Sequence, residues 1–257
     1  MQEGADFRLR VRIDEAGYEP GKPILRDLFF EVRPGERLGL LGPNGAGKST
    51  VMKGLLGQLG HWKGQIDWNG LTEREPSDRS EDGIRRMAYI PELPILYERF
   101  TLWEHLQLAA AAAGMPEDRF GERADRLLDR FRLRKAKHEY PVRFSKGMQQ
   151  KVMLIAAFLL EPDLFLVDEP FIGLDPGAVM ELLAALDEER TRGASVVLTT
   201  HVLDSAERLC DRFVLIHEGG IAASGTLADI RRAAGCPDGT PLFECFRVLT
   251  QEGAERS

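Results

Sequence analysis

Residues 42–50 read GPNGAGKST and follow directly on RLGLL at 37–41. The pattern is G-x-x-x-x-G-K-[ST], and it sits in the context that pattern needs, with an apolar strand before it and a helix starting at Lys48 after it. Glycines at 42, 45 and 47 let the backbone curl so that successive N–H groups point at one centre. The N-terminus of the following helix adds positive potential at the same place. Such a loop cradles phosphates through Gly42, Pro43, Asn44, Gly45, Ala46 and Gly47, then Lys48, Ser49 and Thr50. Lys48 can reach the β- and γ-phosphates, and the Ser49 hydroxyl can hold Mg²⁺. A glycine-rich turn that merely contained a lysine would not account for the strand, the helix and the acidic strand further on.

That acidic strand is LFLVDEP, residues 164–170. Four apolar residues run into two adjacent carboxylates and a proline closes the stretch, which reads as a buried strand. Two neighbouring charges at the end of a buried strand repel each other and resist desolvation, so a cation or a working site has to receive them. Beside a phosphate-binding loop, Asp168 is expected to face magnesium and Glu169 to act as the base that activates water.

Outward from these motifs the chain reads as globular α/β. Its 257 residues, 43% hydrophobic and 29% charged, suffice for a sizeable core. The formal net charge of −7 argues against a nucleic-acid surface as its main business. Three cysteines (Cys210, Cys236, Cys245) without C-x-x-C spacing argue against a disulfide framework or a zinc site and are read as plain buried or surface thiols. No signal-peptide core opens the sequence, and LQLAAAAAGM and VMLIAAFLL fall short of the roughly 20 residues of a spanning helix.

FRLRVRI alternates with period two and predicts a half-exposed strand. LFFEV, PGE and RLGLLG predict strand, turn and buried strand, followed by a helix from Lys48 to about Leu59 and strand in GQIDWNG. From TLWEHLQLAAAAAGM to ERADRLLDRFRLR the pattern is helical, broken at Gly114-Met115-Pro116. After Phe144 strands and helices alternate: a helix capped by Ser145, the strand LFLVDEP, a helix ending at Gly193, the strand SVVLTTH and the helix DSAERLC. A hairpin is expected around Gly219-Gly220, then a short helix from Thr226 and weak signal beyond.

FSKGMQQK at 144–151, lying ahead of LFLVDEP, completes a set that resembles the ATP-binding subunits of ABC transporters over nearly the whole chain. It is similar to the family's signature, Leu-Ser-Gly-Gly-Gln: Ser145 and Gly147 match, whereas Phe144, Lys146 and Met148 depart. GLDP at 173–176 resembles the D-loop, with Asp175 its acid; His201 resembles the switch histidine that senses the γ-phosphate; Tyr18 suits the aromatic that stacks on adenine. In YIPELP, Glu92 stands where the family usually has Gln, and could ligate Mg²⁺ or accept from water but not donate an amide hydrogen bond. The combination of YIPE and FSKGM resembles the Ecs-type ATPase subunits.

The resemblance implies a single ABC ATPase domain: a P-loop NTPase core with a mixed sheet over about 7–95 and 145–225, including an N-terminal antiparallel β subdomain, with an inserted α-helical subdomain over 96–144 and a tail over 226–257. It implies ATP and Mg²⁺ as substrate and cofactor, with Glu169, His201 and Lys48 carrying catalysis and Ser49, Asp168 and Glu92 near the metal. Ser145, Lys146, Gly147 and Met148 would meet the ATP of a second, head-to-tail copy. Partners would be polytopic membrane permease subunits and no nucleic acid, placing the chain on the cytoplasmic face of the membrane. The alternative is a soluble ABC-type ATPase, whose relatives usually carry two ATPase domains or long coiled-coil insertions. A P-loop small-molecule kinase would leave the signature, D-loop and switch histidine unexplained.

Overall fold

Leu9, Val11 and Ile13 alternate with Arg8, Arg10 and Arg12, and in the computed structural model the three apolar side chains line the buried face of strand β1 (Leu9–Gly17). The structure describes residues 7–68, 71–73, 87–171 and 173–254; Asn69 and Gly70 of the expected strand, residues 1–6 and residues 255–257 of the tail lie outside these. The chain divides into two compact units, Met1–Gly83 with Ser195–Ser257, and Ile84–Ala194.

In the first unit β1 pairs antiparallel with β2 (Leu25–Val32) and β4 (His61–Trp68), and β4 with β5 (Leu71–Glu73). A second sheet is built on β3 (Arg37–Leu41), whose last four residues are all buried, as its lack of alternation requires. β3 lies parallel between β8 (Ser195–Thr200) and β9 (Arg212–His217), and β10 (Gly220–Gly225) pairs antiparallel with β9. The β9–β10 turn is centred on Glu218 and Gly219, at φ 47° and 78°, one residue earlier than the Gly219-Gly220 pair. Two positive φ values are what a tight two-residue hairpin needs to match strand twist.

Helix α1 (Lys48–Leu55) stops four residues short of the expected Leu59. Gly57 takes φ 71° and donates to Gly54 O, while Gln58 N–H donates to Lys53 O at 2.8 Å, a glycine-ended C-cap that satisfies the last carbonyls. α6 (Leu203–Leu209) and α7 (Leu227–Ala233) follow expectation, α7 opening with a capping box between Thr226 and Asp229. The tail beyond is not weak signal: α8 (Leu242–Ala254) buries Leu242 and Cys245 against Leu203, Phe213 and Ile230. All three cysteines are free thiols, and burial pushes Cys210 up to about 12.

Among its described residues the second unit holds two parallel strands, β6 (Met87–Ile90) and β7 (Leu164–Asp168), with four α-helices. α2 (Leu102–Ala112) starts at a Thr101–Glu104 capping box, and the Gly114 break leads to α3 (Glu117–Arg130). Both pack on α4 (Lys146–Leu159), and α5 (Pro176–Thr191) completes the unit. The guanidinium of Arg123 donates to Phe158 O and Leu159 O, supplying the unpaired carbonyls at the end of α4. Among the described residues no helix is long and apolar enough to cross a membrane.

The docking of α8 has a direct check. Leu242 is fully buried, so Leu242→Ala should destabilise the chain by roughly 2–5 kcal/mol, lowering the urea midpoint of unfolding. An unchanged midpoint would mean the tail helix does not pack as described.

Candidate functional site

The phosphate-binding loop leaves the C-terminal end of β3, the end of a parallel strand at which α/β sheets bind ligands. Gly47 caps α1 at φ 113°, a conformation other residues resist, and a Cβ there would lie 2.4 Å from Leu25 Cδ2. Lys48 is 6% exposed; its Nζ donates to Gly42 O at 2.8 Å and Pro43 O at 3.2 Å, which aims the ammonium back across the loop. The β9–β10 turn braces the loop through a hydrogen bond from Gly219 N–H to Ala46 O at 3.1 Å. Sequence reasoning missed that brace, because nothing in a local pattern ties residue 219 to residue 46.

His201 follows β8, and the register of β8 with β3 pairs Thr200 with Leu41, so the histidine and the loop leave the C-terminal ends of neighbouring parallel strands. Tyr18 is 47% exposed, and Lys53 of α1 brings its Nζ 3.2 Å from the Tyr18 hydroxyl. The same ammonium lies over the Tyr18 ring, 5.0 Å from its centroid.

The acidic half belongs to the second unit. All five residues of β7 are buried, and Asp168 and Glu169 are 5% and 8% exposed. Glu169 has φ 45°, a left-handed conformation that costs a non-glycine residue about 1–3 kcal/mol and clusters at functional positions. The Tyr89 hydroxyl donates to Asp168 Oδ2 at 3.3 Å. Burial, then the charge of Asp168 and its hydrogen bond, then the charge of Glu92, push the Tyr89 phenol well above its ordinary value, so it stays a proton donor. Tyr89 was not singled out by sequence; its only signal was membership of the same YIPE stretch as Glu92. Glu92 itself lies exposed on the loop after β6.

At the start of α4, Ser145 is the N-cap, its Oγ accepting from Met148 N–H at 3.3 Å. Ser145 and Lys146 are exposed, and Gly147 and Met148 are half-buried. A Cβ on Gly147 would come within 2.8 Å of Gly173 O, which seats the signature against the GLDP loop. Asp175 caps α5 through Ala178 N–H at 2.9 Å and accepts from Lys151 at 3.3 Å. The backbone hydrogen bond and then the lysine hold its carboxyl below the usual range. The structure thus gathers Tyr18, residues 42–50 and His201 in the first unit, and Glu92, residues 145–148, Asp168, Glu169 and Asp175 in the second.

A family model described as ABC transporter matches residues 25–172, more than half of the chain. The chain belongs to the ABC transporter ATP-binding family. The ABC transporter ATP-binding protein YthP of Bacillus subtilis (strain 168) is 48% identical over 243 residues, 95% of this chain and 97% of the relative. EcsA of the same strain, an ABC-type transporter ATP-binding protein, is 43% identical over 242 residues, 94% and 96% of the two chains, in line with the Ecs-type pattern of the motifs. A solved structure described as an ATP binding subunit of an ABC transporter superposes with TM-score 0.87 at 46% identity, over 94% of this chain and 99% of that one. The cbiO1 protein of Clostridium perfringens, described as part of the ABC transporter complex cbiONQ, superposes with TM-score 0.71 at 25% identity, over 95% and 99% of the two chains. The ABC ATPase fold expected from the motifs is therefore the fold of this chain.

The Tyr89–Asp168 contact carries a pH signature. The folded chain holds the Tyr89 proton above the unfolded value of 10.0, so this contribution to stability is complete below pH 10 and lost as pH rises beyond it. A spectrophotometric titration should show a phenol ionising late, and Tyr89→Phe should remove that late fraction. If the variant titrates like the parent chain, Tyr89 is not the phenol held protonated.

Proposed function

We propose that this chain is the ATP-hydrolysing subunit of an ABC transporter, acting as a head-to-tail pair and driving separate polytopic membrane subunits. The observation that carries the reading is the buried pair Asp168–Glu169, with Glu169 held at a left-handed backbone angle in a chain whose GPNGAGKST loop is folded and braced. On this reading Lys48 and the loop N–H groups bind the β- and γ-phosphates, Tyr18 stacks on adenine, and His201 contacts the γ-phosphate. Glu169 takes the proton from the attacking water, and a desolvated carboxylate in a strained turn is suited to that.

The Ser49 hydroxyl and the Asp168 carboxylate are hard oxygen donors that fit Mg²⁺. Among the described residues no group of three His, Cys, Asp or Glu is placed to hold a metal. When bound, Mg²⁺ would supply charge neutralisation across the β- and γ-oxygens. Asp168 would orient toward it with one carboxylate oxygen engaged by Tyr89.

Ser145 and Lys146 stand open to solvent at the N-terminus of α4, which supports their meeting the phosphates of a second copy. Each chain carries one phosphate loop and one signature, so two chains would enclose two ATP molecules. Leu93, Ile95 and Tyr97, 73%, 66% and 56% exposed on the loop after Glu92, support docking to a membrane partner, and so a peripheral place on the cytoplasmic face. Copurification with a multi-span membrane protein tests that placement; an active chain with no such partner would favour a soluble ATPase.

Glu169→Gln should keep ATP binding and lower hydrolysis by roughly a hundredfold or more. It also removes a negative charge beside the phosphates, so ATP-bound dimers should accumulate on size exclusion with Mg²⁺. Normal turnover in this variant would overturn the assignment. Lys48→Ala should weaken nucleotide binding itself, because the ammonium meets phosphate charge in the ground state as well as the transition state. Ser145→Arg should leave binding to the single chain intact and block pairing. Equal loss of affinity in both variants would contradict a role for the signature in trans.

Glu92 is proposed to reach the Mg²⁺ or the attacking water, directly or through one water. Glu92→Gln should then keep substantial ATPase activity but need more Mg²⁺ for half-maximal rate. Superimposable magnesium curves for parent and variant would leave Glu92 a solvent-facing side chain.

A further inference from the structure

α4 is fastened near its N-terminus to two other segments of the second unit. Gly147 packs on Gly173 O and Lys151 reaches Asp175, which fixes the helix to the GLDP loop. Between them Gln150, 2% exposed, donates from Nε2 to Pro91 O at 2.9 Å, a partner 59 residues away. Pro91 joins β6 to Glu92, and two residues before it the Tyr89 hydroxyl donates to Asp168. Tyr89 and Ile90 end β6 in its ladder with β7, and Pro91 and Glu92 run on from them, so this strap is tied to the acid pair by that ladder and the Tyr89 hydroxyl, and to the signature helix by Gln150.

Gln150 is a costly way to fill a core position. Its Oε1 is buried and meets no donor among the described residues, and an unpaired buried carbonyl lowers stability. Methionine has nearly the same length and volume and carries no polar group to orphan. Packing alone therefore does not call for an amide here. The hydrogen bond to Pro91 does, because a buried backbone carbonyl after a strand end needs a donor and a side-chain donor fixes the strap's position along α4.

We propose that Gln150 is a positioning residue that couples the signature helix to the acid pair. Any shift of α4, such as one caused by a phosphate meeting Ser145, is passed through Pro91 to Glu92 on one side and through Tyr89 to Asp168 on the other. The β6–β7 ladder and these two side-chain bonds form a contiguous route from the helix to the acid pair that needs no side chain of the strap to touch nucleotide. The assignment rests on the ATPase reading given above for its functional meaning, though the tether itself does not.

Gln150→Met in the full chain separates the two. Amide hydrogen exchange in peptides spanning 87–100 should quicken by roughly tenfold without added nucleotide, while peptides from the rest of α4 keep their protection. The melting temperature should change little, because the buried Pro91 carbonyl loses its donor while the orphaned Gln150 Oε1 is removed as well. Steady-state ATPase assays should show kcat reduced by about ten- to a hundredfold with KM for ATP unchanged, as expected when geometry rather than binding is lost. Unchanged exchange in 87–100, or a fall in kcat that merely tracks a lower melting temperature, would overturn the proposal. A parent chain without ATPase activity would defeat the hydrolytic reading, and the exchange data would still decide whether Gln150 holds the strap.

Discussion

Asp168 and Glu169 sit side by side at the end of a strand in which every residue is buried, and both are nearly closed off from water. Burial raises the cost of each charge and proximity raises it again, so the pair is tolerable only where donors and cations are supplied. Much of the second unit serves that requirement. β6 brings Tyr89 to Asp168 as a phenol that burial and the carboxylate itself keep protonated. Glu169 is turned out of strand geometry by its positive φ, which separates its direction from that of its neighbour. The motifs around the pair are arranged as supports of a charge problem that phosphate and magnesium are proposed to resolve.

The first unit addresses the opposite charge. Lys48 is as deeply buried as the acids, and its ammonium is satisfied by the carbonyls of its own loop. A cation held in that way is pre-aimed, so binding a phosphate exchanges carbonyl partners for anionic ones rather than ordering a free side chain. The hairpin turn at Glu218-Gly219 matters for the same reason. By donating to Ala46 O it holds the curve of the loop from outside the motif.

Much of this was legible in the sequence where a residue type has a single strong physical use. GPNGAGKST between an apolar strand and a helix, LFLVDEP, and the Ser145 cap each specify local structure and chemistry together, and β3, β7 and α4 stand where these motifs put them. Failures fell where the signal was weak or non-local. The end of α1 was set by Gly57 entering a left-handed C-cap, which apolar spacing through Leu59 concealed. α8 was overlooked behind the Gly235–Gly239 break, although Leu242, Cys245, Phe246 and Leu249 follow the i, i+3, i+4, i+7 spacing of a helix stripe. The Gln150–Pro91 and Gly219–Ala46 bonds join residues far apart in the chain, and no local pattern encodes them.

The central claim is that a complete site takes its phosphate loop from one chain and its signature from another. Mixing two single variants tests it most directly. Lys48→Ala chains lack a working loop and Ser145→Arg chains lack a working signature, so each alone should be nearly inactive. In a mixed pair, the loop of the Ser145→Arg chain faces the intact signature of the Lys48→Ala chain, and one whole site is rebuilt. ATPase activity should therefore reappear on mixing, peaking near equal amounts of the two proteins. A mixture no more active than its separate components would contradict the shared site.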